Sequence, residues 1–85
     1  METPVGGISI IVENGETVGQ LNSLLHEYGD YIIGRMGIPY RKLKINIISV
    51  ALDAPQNIIS ALSGKIGNLP GVSVKTAYSG VVNHE

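Results

Sequence analysis

The feature that most restricts the fold is an internal repeat. "ISIIVENGETVGQLNSLL", from Ile8, can be laid over "INIISVALDAPQNIISAL", from Ile45. In both, a β-branched apolar run passes through a short polar turn into apolar residues at helical intervals. Each copy is followed by a further strand pattern, "YIIGRMGIP" (Tyr31 to Pro39) and "VSVKTAY" (Val72 to Tyr78), so the element order is βαββαβ. Two such units with right-handed crossovers, joined by a hairpin, predict an α+β, ferredoxin-like sandwich: a four-stranded antiparallel sheet with two helices on one face. Residues 5–79 are expected to form this single domain, and 80–85 a flexible C-terminal tail. The topology puts the first and third strands in the middle, and those are the two most apolar.

Local signals set the element ends. "VGGISIIVE" (Val5 to Glu13) reads as a strand stopped at Asn14-Gly15, and Thr17 with Gln20 has capping-box spacing. Val18, Leu21, Leu24, Leu25 and Tyr28 then mark a helix that Gly29 stops. Asp53-Ala54-Pro55-Gln56 opens the second helix, whose buried face is Ile58, Ile59, Leu62 and Ile66. Gly64 either lets that helix approach a neighbour or ends it early.

The uncovered sheet face is the informative surface. If Ile8, Ile10 and Val12 face the helices, Ile11 faces away; the third strand offers Ile48, Val50 and Leu52 to one side and Ile45 and Ile47 to the other. Both sides are apolar, and a chain of 85 residues buries only about 60% of its unfolded surface. A homo-oligomer, dimer or tetramer, is therefore expected. Its interface would use Ile11, Ile45 and Ile47 together with Ile33, Gly34 and Gly37 of the edge strand, with Lys75, Arg35 and Ser49 as the polar residues diluting that face.

Composition removes several classes of function. With no cysteine there is no disulfide framework, thiolate metal cluster or cysteine nucleophile, which fits a reducing cytoplasm. A net charge of −1 gives no field for direct nucleic-acid binding, and no apolar run approaches the roughly 20 residues of a membrane span. The central strands lack the aromatics on which RNA-binding sheets stack bases. The serines have no histidine and acid partners in a catalytic pattern, and no phosphate-binding glycine loop occurs. No enzyme and no cofactor is expected. His26 is a weak metal candidate with Glu27 and Asp30 nearby, but a metal centre would need ligands shared between subunits.

The remaining polar concentration lies in "ENGET" (Glu13 to Thr17) and "GDYIIGR" (Gly29 to Arg35). Asn14, Gly15, Glu16 and Thr17 of one subunit, with Asp30, Tyr31 and Arg35 of an apposed one, form the expected small-molecule site; Arg35 supplies a fork of donors for a carboxylate or phosphate. A structural bulge with Arg35 solvated is the other reading of that segment.

"HEYGDYIIGRMGIPY", followed by "LDAPQNIISALSGKIGNLPGVSVKTAYS", closely resembles a family of small proteins described as regulators of the iron-only hydrogenase system. That family is similar in shape to ACT domains and to the carboxy-terminal domain of the nickel-responsive repressor NikR. The "LPGV" run, Leu69 to Val72, is similar to both. The resemblance implies a regulatory domain that dimerises or forms tetramers and senses a small molecule at a subunit boundary. The alternative is a structural assembly adaptor with no small-molecule ligand. A nickel site like the repressor's uses several histidines and a cysteine, which this chain lacks, and only a few residues precede the first strand. Any effect on transcription is therefore expected to run through another protein of the hydrogenase system.

Overall fold

The computed structural model describes residues 3–84. Its elements are β1 (Thr3–Val12), α1 (Val18–Glu27), β2 (Ile32–Tyr40), β3 (Ile45–Asp53), α2 (Gln56–Gly67) and β4 (Val72–Asn83). The strands form one antiparallel sheet in the order β2-β3-β1-β4, with the two apolar strands in the middle. This is the ferredoxin-like arrangement.

Alternation along the central strands builds the core. Ile8, Ile10 and Val12 of β1 and Ile48, Val50 and Leu52 of β3 point to the helices and are buried. Leu21 and Leu25 of α1, four apart, and Ile59, Leu62 and Ile66 of α2 close over them. Gly6 lets α2 settle: a Cβ there would stand 3.3 Å from Ile59 Cδ1 and 3.2 Å from the Ala77 carbonyl oxygen. The helix layer is tied down by side chains on its outer flank, with Ser63 Oγ 2.6 Å from Thr76 Oγ1 and Ser60 Oγ 2.9 Å from the Tyr78 hydroxyl.

Four details differ from the sequence-based expectation. Thr17 makes no side-chain cap on α1; its buried hydroxyl donates to the Pro70 carbonyl at 2.8 Å, and Asn14 Oδ1 instead accepts from the Glu16 amide at 3.0 Å. The hydroxyl donates to a long-range carbonyl and does not accept from a local amide. Gly64 does not end α2, which continues to Gly67, and a Cβ at Gly64 would meet nothing within 4 Å. Close packing within the protomer therefore does not explain it. The segment expected as a tail is strand through Asn83, because β1 starts at Thr3 and provides partners, Thr3 to Asn83 and Pro4 to Val82. Asp53 secures that end, accepting from Thr3 Oγ1 at one oxygen and from Asn83 Nδ2 at the other (2.5 Å), so it does not cap α2. Glu85, at the end of the expected tail, lies outside the described residues.

The fourth difference concerns β2. The register shifts between Ile32 and Gly34, so Ile33 is the extra residue of a bulge and is 64% exposed. Beyond the bulge, Arg35 and Gly37 lie opposite Val50 and Ile48, on the helix side of the sheet. Gly34, Met36, Ile38 and Tyr40 fall on the open side.

Candidate functional site: the open face of the sheet

Directly opposed residues in an antiparallel pair share a face, so the register reads out the uncovered side as rows across all four strands. One row is Gly34, Ala51, Gly7 and Ala77; the next is Met36, Ser49, Ser9 and Lys75; the third is Ile38, Ile47, Ile11 and Ser73. Tyr40 and Ile45 extend the apolar end. The face thus grades from a smooth floor of glycine and alanine, through a polar row, to a block of isoleucines. Met36 is 59% exposed, Ile38 49%, Tyr40 42% and Ile11 38%.

Two hollows lie on this face. One, about 310 Å³, is lined by Gly7, Ser9, Ser49, Lys75 and Ala77 among others, and the second, about 270 Å³, by Gly34, Met36, Ser49 and Ala51 with Arg35. Ser49 borders both. Another hollow of about 320 Å³ lies at the β2–β3 hairpin, between Tyr40, Arg41, Lys44 and Asn46. There the chain turns through Lys44 at φ 55°, its amide donating to the Arg41 carbonyl at 3.2 Å.

Of the residues expected at an oligomer interface, Ile11, Ile45, Ile47 and Gly34 lie on the open face. Gly37 lies on the other side, facing Ile48. Ile33 sits at the bulge. Arg35 does not dilute the open face, since it crosses to the helix side and its Nη2 donates to Asn22 Oδ1 of α1 at 2.8 Å. Lys75 and Ser49 do lie on the open side. Among the additional open-face residues are Met36, Ile38 and Tyr40 of β2 and Ser9 of β1. The signal that finds them is the period of two, counted from beyond the bulge in β2 and from Ile11 in β1.

The residues expected to bind a small molecule fall at opposite ends of one protomer. The turn of Asn14, Gly15, Glu16 and Thr17 follows Val12, whereas Asp30, Tyr31 and Arg35 surround the start of β2. The register aligns Ile32 with Leu52 and hence with Gly6, six residues along β1 from Val12, about 20 Å by strand rise. A single protomer does not bring them together. Asn14 Oδ1, Thr17 Oγ1 and Arg35 Nη2 are also engaged internally. Gly71, at φ +67°, packs so closely on this turn that a Cβ would stand 2.9 Å from Asn14 Cβ. Tyr31 packs beside Tyr28, ring centroids 6.5 Å apart.

Elsewhere, Lys65 Nζ donates to the Tyr28 hydroxyl at 2.8 Å and stands 5.0 Å from that ring's centre. The hydrogen bond to Tyr28 is the main cause of a Lys65 pKa above the ordinary value. His26 lies in the last turn of α1. Among the described residues no group of three or more His, Cys, Asp or Glu side chains is arranged to hold a metal ion. Nor, among them, is any helix long and apolar enough to cross a membrane.

Comparison with known proteins places this architecture. No curated protein matches the chain. Among solved structures, the uncharacterized protein TM1266 from Thermotoga maritima is 35% identical, with a TM-score of 0.86, covering 89% of this chain and 96% of that one. The C-terminal domain of the MgtC protein from Mycobacterium tuberculosis has a TM-score of 0.73 at 11% identity, covering 98% and 95% of the two chains. CPII, a nitrogen regulatory PII-like protein from Thiomonas intermedia K12 solved with ADP, AMP and bicarbonate, has a TM-score of 0.55 at 19% identity, covering 95% and 96%. The last two share the fold alone. Residues 4–76 match the family described as "TM1266-like: Iron-only hydrogenase system regulator, putative". On that match and the Thermotoga likeness, this chain belongs to the TM1266-like family of iron-only hydrogenase system regulators.

Proposed function

We propose that the protein is a non-enzymatic regulatory domain of the hydrogenase system that works as a homodimer closed through its open sheet face, with a small-molecule effector at the subunit boundary. The observation that carries this reading is the row of Ile38, Ile47 and Ile11, in register on a face that no layer of the protomer covers. A second copy is the occupant that suits it. Four strands about 4.8 Å apart and about 30 Å long give each protomer a face of roughly 500 Å², so two faces together bury about the 1,000 Å² that a specific interface needs. The face also carries few charges, Lys75 in its middle row and Asp53 opposite Val5 near one end, so two identical copies can meet without broad charge repulsion. The effector is suggested by the CPII structure, whose nucleotides and bicarbonate show that a domain of this shape can carry small ligands.

The test is genetic and biochemical together. A strain lacking the gene is complemented with wild type or Ile38→Lys, and iron-only hydrogenase activity is measured. The proposal expects Ile38→Lys to be monomeric, folded and as ineffective as no gene. A monomeric variant that restores normal activity would refute dimeric regulation.

A further inference from the structure

The middle row of the open face holds a charge that stacking would bury. Met36, Ser49, Ser9 and Lys75 lie in register between the glycine-alanine floor and the isoleucine block. Lys75 makes no hydrogen bond or ion pair within the described residues, and neither do the Ser9 and Ser49 hydroxyls. On a free protomer the ammonium is solvated. Once a second face covers it, an ammonium without a counter-charge is strongly unfavourable.

Among the described residues none supplies that counter-charge. Both Asp53 oxygens already accept hydrogen bonds, from Thr3 and Asn83. Glu13 is four residues beyond Ser9, about 13 Å along the strand direction, roughly twice the reach of a lysine side chain. Beside Lys75 there is instead a hollow of about 310 Å³, with Ser9 and Ser49 on one side and the bare backbone of Gly7 and the methyl of Ala77 on the other. That volume is at the lower end of small-molecule sites, and the lining combines a few convergent polar groups with an apolar floor.

Resting on the face-to-face dimer proposed above, we infer that this hollow binds a small organic acid. Its carboxylate accepts from Lys75 Nζ and the Ser9 and Ser49 hydroxyls, and its short aliphatic body lies over Gly7 and Ala77. Covering by the second copy turns the open dish into a closed site. The ligand and the dimer then stabilise one another, which gives the fold a means of reporting an organic acid as a change in assembly.

The experiment is sedimentation equilibrium of the full chain in millimolar butyrate, with butyramide, phosphate and chloride at matched ionic strength as comparisons. The wild-type dimer should tighten by about tenfold in butyrate and not in the other three. Lys75→Met, which keeps the stem and removes the charge, should dimerise more tightly than wild type without butyrate and ignore its addition. The Ser9→Ala, Ser49→Ala double variant should still dimerise and lose most of the response. An equal response to phosphate, a butyrate response surviving in Lys75→Met, or a wild-type dimer indifferent to butyrate would each overturn the organic-acid site while leaving the dimer standing. Looser dimerisation of Glu13→Gln without butyrate would assign the counter-charge to Glu13 of the second copy and likewise overturn it. A wild type that is monomeric in every condition would instead overturn the dimer on which the inference rests.

Discussion

Ile10 and Ile11 are neighbours in one strand and live in different environments. Ile10 is fully buried under the helices, whereas Ile11 is 38% exposed on the opposite face. The same contrast runs across the sheet: Val50 against Ser49 in β3, and Val74 against Lys75 in β4. A soluble domain normally meets water with polar side chains on its uncovered sheet face. Here the middle row does so, but in the row beside it Ile38, Ile47 and Ile11 are as apolar as the strands' covered side. The helix-covered face accounts for folding, and the open face is where the chain keeps surface for something else.

The largest expected effects separate the two faces directly. Ile10→Ala should cost about 2–5 kcal/mol in chemical denaturation at any protein concentration, because it leaves a cavity in a closed core. Ile11→Ala should cost less than about 1 kcal/mol in dilute protein, with a further loss that grows as wild type begins to associate. Equal, concentration-independent losses would abolish the distinction between the faces.

Gly71→Ala comes next. Its positive φ and the 2.9 Å approach to Asn14 Cβ should destabilise the chain by about 1–3 kcal/mol, as read from the denaturation midpoint. That loss belongs to the packing of two turns within the protomer and should leave dimerisation of the folded fraction unchanged. Gly64→Ala should raise stability by up to about 1 kcal/mol, since the site is an exposed helix position with open space. A loss on this substitution would mean that a second copy packs against the helices, which would reverse the assignment of the two faces.

The smallest effect is at the outer edge of the helix layer. Lys65 gains a partner on folding, so its pKa is raised; the contribution is fully present below pH 10.5 and is lost as pH climbs through the higher folded-state value. The stability difference between wild type and Tyr28→Phe should therefore be constant near neutrality and shrink only in strong alkali. A difference that vanished between pH 6 and 8 would mean another group is responsible.

The repeat and the alternation in β1 and β3 made the topology legible, because those strands are regular and every second residue reports its face. The site was less legible where regularity breaks. One extra residue at Ile33 reverses the faces of everything after it in β2, so Arg35 and Gly37 move to the helix side and Met36, Ile38 and Tyr40 to the open side. A bulge in that segment is one of the two readings that the sequence leaves open, but nothing in the sequence places its extra residue at Ile33 or turns Arg35 toward Asn22. Thr17 shows the same limit in another form, since its spacing from Gln20 fits a local cap but its hydroxyl finds Pro70, distant in sequence. The paired strand beyond Tyr78 depends on Thr3 and Pro4 providing a partner, which a reading of the C-terminal segment alone does not reveal.

The central claim is that a second copy covers the open face, and sedimentation velocity of the wild-type chain across a range of concentrations tests it most directly, with Ile47→Lys run beside it. The account predicts a wild-type species of twice the 9.0 kDa chain mass and a folded Ile47→Lys that remains at the chain mass. Wild type remaining at 9.0 kDa at the highest concentrations, or Ile47→Lys associating as wild type does, would contradict it.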